Sequence, residues 1–111
     1  MTRFPLSIHK RKKILMKGAE LSEIAVKVFS VKVLNNDIDW KMISAFIYEV
    51  DRLNDLCYMY LNVCPNSGLY GLSDNDILII KERTKKILKR MISLLFVFNM
   101  HKQIKSNNRM L

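Results

Sequence analysis

The stretch DIDWKMISAFIYEVDRLNDLCYMYLNVC, residues 37–64, decides the fold class because its apolar residues recur every three or four positions. That spacing places them on one side of a long α-helix. Residues 35–36 break the preceding pattern, and Asp37 is predicted to cap the helix. Asp39 then falls in the first turn, where its charge complements the helix dipole, and Pro65 ends the helix. The predicted core stripe is Ile43, Phe46, Ile47, Val50, Leu53, Cys57, Tyr60, Leu61 and Cys64.

A later helix is predicted to begin at Ser73 and to end at about Ser106. Ser73 and Asp76 have the spacing of a capping box, in which side chains and backbone N–H groups of the first turn bond reciprocally. Asp74 adds negative charge where the helix dipole favours it. The predicted apolar stripe of this helix is Ile77, Ile80, Ile87, Leu88, Met91, Leu94, Leu95 and Phe98.

The first helix is predicted to follow Ser7 as its cap and to contain the basic run HKRKK, residues 9–13. Within AVKVFSVKVL, residues 25–34, four valines and a partial alternation of polarity would also suit a β-strand. Helix is favoured because a single strand would have no second strand to pair with. The predicted apolar stripe is Ile14, Leu21, Ile24, Ala25, Val28 and Val31.

Together these segments predict an all-α fold, a small antiparallel bundle of about three long helices with short connections. The 111 residues suit a single helical domain, with residues 1–6 and 105–111 frayed. No apolar run reaches the ~18 residues of a membrane span, and no secretory signal is visible, so a cytoplasmic location is expected. Cys57 and Cys64 would lie about 10 Å apart along one helix, too far for a disulfide, and are expected to be reduced.

Charge is distributed unevenly along this basic chain, whose net charge is +9. Two ends of net +6 each, residues 1–35 and 74–111, flank a middle of net −3. Internal complementarity and solvated helix faces would explain this distribution, as would an anionic partner. The densest late cluster, a candidate anion-binding set for nucleic acid, is Lys85, Lys86, Lys89 and Arg90.

Catalysis is not expected from the chemistry-bearing residues. His9 and His101 each sit in a basic run without a Cys, Asp or Glu at metal-ligand spacing, so neither zinc nor another metal is expected. The three glycines do not form a phosphate loop, and no cofactor is expected. Cys57 is better explained as a buried core thiol than as a nucleophile.

The late apolar stretch RMISLLFVFNM, residues 90–100, is apolar around most of a helix circumference. A helix packed on one side of a small bundle needs an apolar stripe of only about 100°. Ile92, Phe96 and Val97 exceed that stripe, and exposed apolar patches of this kind usually mark a partner site. These three residues are therefore predicted to bind a partner protein, with a homodimer as an alternative occupant.

The segment AELSEIAVKVFSVKVLNNDIDWKMISAFIYEVDRL, residues 19–53, resembles flagellar and type III export chaperones of the FliT type. In that family a first helix ends in a short polar break and an acidic-Trp pair, followed by a helix with spaced aliphatic and basic residues. Asp39-Trp40 and Arg52-Leu53 match this layout. DNDILIIKERTKKILKRMISLL is similar in style to a later helix of the family.

The resemblance implies a small helical chaperone that keeps an exported substrate soluble and presents it to the export machinery. Some members of the family also bind a flagellar transcription regulator. Substrate binding would fall on the apolar helical surfaces. The function expected from the sequence is therefore a non-enzymatic export chaperone or adaptor that binds a partner protein, and the alternative is a small basic nucleic-acid-binding regulator.

Overall fold

The computed structural model describes residues 6–63 and 73–110 of the chain. Side chains are described as far as residue 62 in the first range and residue 100 in the second. Of the predicted frayed start, residues 1–6, the structure describes only Leu6. Cys64 and residue 111 also lie outside the described residues.

Three α-helices make up almost all of the described chain, which contains no β-strand. They are α1 (Ile8–Leu34), α2 (Trp40–Val63) and α3 (Asp74–Met110). Each helix packs against the other two, which confirms the predicted all-α bundle. Residues 25–34, the segment that would also have suited a strand, belong to α1.

Hydroxyl caps start two of the helices where the sequence predicted them. The Ser7 side chain accepts a hydrogen bond from the Lys10 backbone N–H at 3.2 Å, so α1 begins directly after Ser7. The Ser73 side chain accepts from the Asp76 N–H at 3.1 Å and caps α3. α3 continues to Met110, four residues beyond the predicted end.

The connection between α1 and α2 differs from the predicted one. Asn36 adopts a positive φ of 58°, a backbone conformation that asparagine tolerates better than most residues. Asp37 does not begin α2; the helix begins at Trp40, and the Asp39 carboxylate accepts from the Lys41 N–H at 3.1 Å. The later start has a packing reason, because Ile38 is inserted into the core before the helix begins and is only 4 % exposed.

Each helix turns towards the core a stripe of residues separated alternately by three and four positions, the spacing of a left-handed coiled coil. On α2 this stripe coincides with the predicted one, which is confirmed for its described members. The stripes are Arg11, Leu15, Gly18, Ser22, Ala25 and Phe29 on α1; Ile43, Phe46, Val50, Leu53, Cys57 and Tyr60 on α2; and Ile77, Ile80, Thr84, Ile87, Met91, Leu94 and Phe98 on α3.

The predicted core stripe of α1 is largely wrong, since only Ala25 of its members belongs to the buried stripe and Ile14, Leu21 and Val28 are half-buried beside it. The predicted stripe of α3 is wrong at one position. Ile24 is 51 % exposed and Val31 is 55 % exposed, whereas Phe29, which was not predicted to be in the core, is fully buried. Leu88 of α3 is 42 % exposed. α1 carries two apolar stripes, and the buried one contains the small residues that let the other helices approach closely.

Gly18 is a position at which α2 and α3 both approach α1 closely. A Cβ atom at this position would lie 2.7 Å from the Cys57 Sγ atom and 3.2 Å from the Thr84 Oγ1 atom. Cys57 belongs to α2 and Thr84 to α3, so both of these helices contact α1 at Gly18, the one residue of α1 that has no side chain. The absence of a side chain at Gly18 therefore sets the spacing of all three helices.

The helices alternate in direction. Phe29 and Phe46 make an edge-to-face contact with ring centroids 5.3 Å apart, and the Tyr58 hydroxyl donates to the Glu23 carboxylate, so α2 runs antiparallel to α1. Arg11 forms an ion pair with Asp74 at the N-terminal ends of α1 and α3.

α1 and α3 run parallel and keep a constant register. Gly18 lies beside Ile80 and Thr84, and Val33 and Phe98 line one cleft near the other end. Together with the ion pair at the N-terminal ends, these contacts place each residue of α1 level with the residue about 64 positions later in α3.

The Cys57 thiol should be unreactive in the folded protein. Cys57 is fully buried, and burial raises the pKa of its thiol from 9.0 to about 11, so almost no thiolate is present at neutral pH. In a Cys64→Ser variant, an aromatic disulfide reagent should react slowly without denaturant and rapidly in urea. The Cys57 thiol of the unfolded chain ionises at a lower pH than that of the folded protein. The free energy of unfolding should therefore decrease as pH rises from about 9 towards 11. Fast reaction without denaturant would show that Cys57 is accessible.

Candidate partner-binding face

A cleft of about 490 Å³ lies between the N-terminal halves of α1 and α3. Its apolar lining is formed by the half-buried Leu6, Ile14 and Leu78 and by the more exposed Leu88. None of the described residues that line it carries a negative charge. Five exposed lysines stand along its two rims, and we call this feature the basic cleft: Lys10, Lys13, Lys17, Lys81 and Lys85.

An apolar strip continues the basic cleft towards the C-terminal ends of the same two helices. On α1 the row through Lys10, Ile14 and Lys17 continues at alternating steps of four and three residues as far as Val31. On α3 the row through Leu78, Lys81 and Leu88 does so as far as Ile92, and Phe96 lies four positions further along, next to this row. Exposure along these rows is high, at 58 % for Ile92 and 66 % for Phe96. The strip consists of Leu21, Ile24, Val28, Val31, Ile92 and Phe96.

The parallel register brings the two halves of the apolar strip to the same level. A separation of about 64 positions puts Val28 beside Ile92 and Val31 near Phe96. The basic cleft and the apolar strip therefore form one elongated surface, which we call the α1/α3 face. From Lys10 to Val31 it extends about 32 Å, at 1.5 Å per helical residue.

The structure separates the three residues that the sequence grouped as a partner-binding site. Ile92, Phe96 and Val97 are all exposed, Val97 by 44 %. Ile92 and Phe96 are four positions apart and lie in one row, whereas consecutive residues point about 100° apart around a helix. Val97 is therefore directed away from the α1/α3 face.

The four predicted anion-binding residues do not form one site either. Lys85 belongs to the basic cleft and lies 3.6 Å from Glu82 of the same helix. Arg90 lies 4.0 Å from Glu49 of α2. Lys86 lines a different cleft, of about 250 Å³, between α2 and α3.

The cleft between α2 and α3 contains both charges. Arg52, Arg83 and Lys86 surround it, and Glu49 also lines it. Arg52 stacks over the Tyr48 ring with its guanidinium carbon 5.9 Å from the ring centre. Lys89, between Lys86 and Arg90 in the sequence, is exposed and lines neither cleft.

A further cleft of about 520 Å³ lies at the connection between α1 and α2, and it involves the acidic-Trp pair. Trp40 is 51 % exposed at its edge, and Phe98 of α3 also lines it. Asp39 has a structural function here, since it accepts the Lys41 N–H at the start of α2. The pair therefore begins a helix and leaves half of the indole accessible.

The described side chains form no arrangement suited to hold a metal ion, since no group of three His, Cys, Asp or Glu residues converges among them. Tyr58 is exposed, and the hydrogen bond that it donates to Glu23 raises the pKa of its hydroxyl. That bond links α1 to α2 at the surface. The α1/α3 face therefore offers a partner apolar side chains and positive charge.

Sequence reasoning missed the basic cleft although its lysines were visible. Lys10 and Lys13 belong to the HKRKK run, and Lys81 begins a lysine row on α3. The signal that joins them is the alternating three- and four-residue spacing of lysines with Ile14, Leu78 and Leu88. That spacing predicts a second face on each helix, but only the register of α1 against α3 shows that the two faces adjoin.

Comparison of the chain with protein-family models, with curated proteins and with solved structures finds no match in any of the three. None of the helices in the described part of the chain is long and apolar enough to cross a membrane.

Proposed function

We propose that this protein is a small non-enzymatic helical protein that binds a partner protein through its α1/α3 face. The observation that carries the proposal is the exposure of Ile92 and Phe96, at 58 % and 66 %, beside the exposed Ile24 and Val31 of the neighbouring helix. Contiguous exposed apolar patches on soluble domains usually mark interaction sites. Two adjacent helices contribute here, so the patch is broader than one misplaced side chain.

The second apolar stripe of α1 supports this proposal. The bundle already buries the stripe through Leu15 and Phe29, and that stripe is enough to hold α1 in place. The additional stripe through Ile24 and Val31 therefore contributes little to the bundle itself. An apolar stripe on a helix is the side that packs against a neighbour, so the second stripe of α1 offers a place for a further helix.

The proposal extends to a role as a cytoplasmic export chaperone or adaptor, in flagellum biogenesis or a related export pathway. It rests there on the resemblance of residues 19–53 to export chaperones of the FliT type. The apolar strip suits this role, because a chaperone must cover apolar helix surface on its substrate. Nucleic-acid binding through the cations around Arg52, Arg83 and Lys86 is the alternative function.

The proposed partner contact should depend on Ile92 and Phe96 and not on Val97. In cells that express the chain naturally, the protein captured by an affinity-tagged chain should be purified and its binding measured. Ile92→Ser combined with Phe96→Ser should weaken that binding at least tenfold, because two exposed apolar side chains leave the interface. Val97→Ser, on the same helix, should bind like the unchanged chain.

Two outcomes would contradict this function. Equal binding by the Ile92→Ser/Phe96→Ser variant and the unchanged chain would remove the α1/α3 face from the contact. DNA or RNA binding that weakens steeply with salt would favour the nucleic-acid function, especially if replacing Lys85, Lys86, Lys89 and Arg90 with Gln reduced the salt dependence. Circular dichroism of each variant checks that the helices remain folded.

A further inference from the structure

We propose that the α1/α3 face binds an acidic amphipathic helix, with its acidic half on the basic cleft and its apolar half on the apolar strip. The inference rests on the proposed function and adds the chemistry of the partner. Three features support the inference: the positive charge of the basic cleft, the length of the α1/α3 face and the spacing of its flanking residues.

Charge complementarity identifies the acidic half. The five lysines of the basic cleft come from two helices that the fold holds side by side, and no described lining residue is acidic. Glu82 approaches Lys85 at 3.6 Å, but both side chains are more than half exposed, so this surface pair neutralises little. Partner carboxylates between the rims would meet lysines on both sides at once.

Apolar contact identifies the other half. Beyond Leu88 both flanking rows become apolar, with Ile24 and Val28 on α1 and Ile92 on α3, and Phe96 lies one turn after Ile92. Lysine side chains in the cleft can also lay their methylene groups along an apolar partner while their ammonium groups remain in water. A partner that is acidic throughout would leave the apolar strip uncovered, and an entirely apolar one would leave the lysines unpaired.

Shape favours a helix as the bound element. The face is about 32 Å long, the length of a straight helix of about 20 residues, and its N-terminal half is the basic cleft. Both flanking rows have the three- and four-residue spacing that accepts the side chains of a neighbouring helix as knobs into holes. A fourth helix running antiparallel to α1 and α3 would continue the alternation of directions already present in the bundle.

Two other occupants fit these observations less well. An anionic bilayer is flat, whereas Ile14 and Leu78 are half-buried between exposed lysine rows, where a planar surface does not reach. A second copy of the chain would have to offer the acidic side of α2. That helix also carries Lys41 and Arg52, and its apolar side is already occupied in its own bundle.

The test uses a designed peptide of about 20 residues, with leucines at alternating three- and four-residue spacing and four glutamates in one half. Fluorescence anisotropy measures its binding to the full chain at low and at physiological salt. A peptide with Gln in place of Glu should bind about tenfold more weakly at low salt, and one with Lys should not bind. The advantage of the Glu peptide should shrink as salt rises.

Charge reversal on the protein locates the acidic half. Lys13→Glu combined with Lys81→Glu should weaken binding of the Glu peptide at least tenfold and should create binding of the Lys peptide. Lys41→Glu combined with Lys86→Glu changes the net charge equally, outside the α1/α3 face, and should leave the affinity within about twofold. Ile92→Ser combined with Phe96→Ser should weaken the binding of every peptide that binds the unchanged chain.

The outcomes separate this inference from the proposed function. Suppose that the Glu and Gln peptides bind with equal affinity and that the Ile92→Ser/Phe96→Ser variant binds neither. This result would contradict an acidic partner but would still support the proposed function. Binding to phosphatidylserine vesicles without binding to any peptide would overturn it in favour of a membrane surface. A dimer in sedimentation that dissociates on Ile92→Ser/Phe96→Ser would assign the face to a second copy. Unchanged peptide affinity in every variant would overturn both proposals.

Discussion

Replacing Phe29 with alanine should destabilise the protein by about 3–5 kcal/mol, a large part of the 5–15 kcal/mol typical of a domain of this size. The Phe29 side chain is fully buried and meets the Phe46 ring edge-to-face at 5.3 Å between centroids. Its removal loses apolar burial and leaves a cavity between α1 and α2, and it also loses an aromatic contact of about 1 kcal/mol. Urea unfolding followed by circular dichroism measures the change.

The matched control for Phe29 is Val31→Ala, two positions further along the same helix. Val31 is 55 % exposed, so this change should alter the free energy of unfolding by less than about 0.5 kcal/mol. The comparison tests which of the two apolar stripes of α1 faces the core. Similar losses at Phe29 and Val31 would mean that α1 is rotated relative to the orientation described.

Local features of the sequence predicted the helices well because local interactions produce them. Ser7 and Ser73 each accept a backbone N–H three residues later, and such a bond is visible in any sequence that has the right spacing. The α2 stripe through Phe46 and Leu53 was predicted correctly for the same reason, since α2 has one apolar side and its register follows from spacing alone.

The core side of α1 could not be predicted from spacing, because two stripes were available. The stripe through Ile24 and Val31 has the larger apolar side chains, and it is the more hydrophobic of the two stripes in the sequence. The protein buries instead the stripe through Gly18, Ser22 and Ala25, of which only Ala25 was predicted to be in the core. The small side chains of this stripe allow α2 and α3 to approach closely. Which stripe is buried thus depends on the partners of α1, and those lie far away in the sequence.

For the candidate site too, local sequence features predicted some properties, and others depend on contacts between distant residues. The exposure of Ile92 and Phe96 followed from counting apolar residues around one helix. Grouping Val97 with them, or Lys85 with Lys86, followed sequence adjacency, and adjacent residues of a helix point in different directions. The basic cleft needs α1 and α3 at a fixed register, which depends on contacts between residues more than sixty positions apart.

That register is held at one end by Arg11, which the sequence presents as one more solvated member of a basic run. Arg11 is only 3 % exposed and is paired with the Asp74 carboxylate. The Leu6 backbone N–H also donates to Asp74 Oδ1 at 3.3 Å, and Arg11 Nε donates to the Leu6 carbonyl at 3.0 Å. These bonds join the segment before α1, α1 itself and the first residue of α3.

Replacing Asp74 with alanine should therefore destabilise the protein by about 2–3 kcal/mol. Breaking a buried ion pair costs about 3–5 kcal/mol, and the cost is lower here because the Asp74 side chain is 36 % exposed, so water already solvates part of its carboxylate. The same urea unfolding experiment, followed by circular dichroism, measures the loss.

Asp76→Ala is the matched control for Asp74→Ala. Both residues lie in the first turn of α3 and share its dipole contribution, worth about 0.5 kcal/mol, but Asp76 is exposed. Its replacement should cost less than about 1 kcal/mol, so the difference between the two variants measures the link to Arg11. Equal losses at Asp74 and Asp76 would show that the ion pair does not stabilise the junction of α1 and α3.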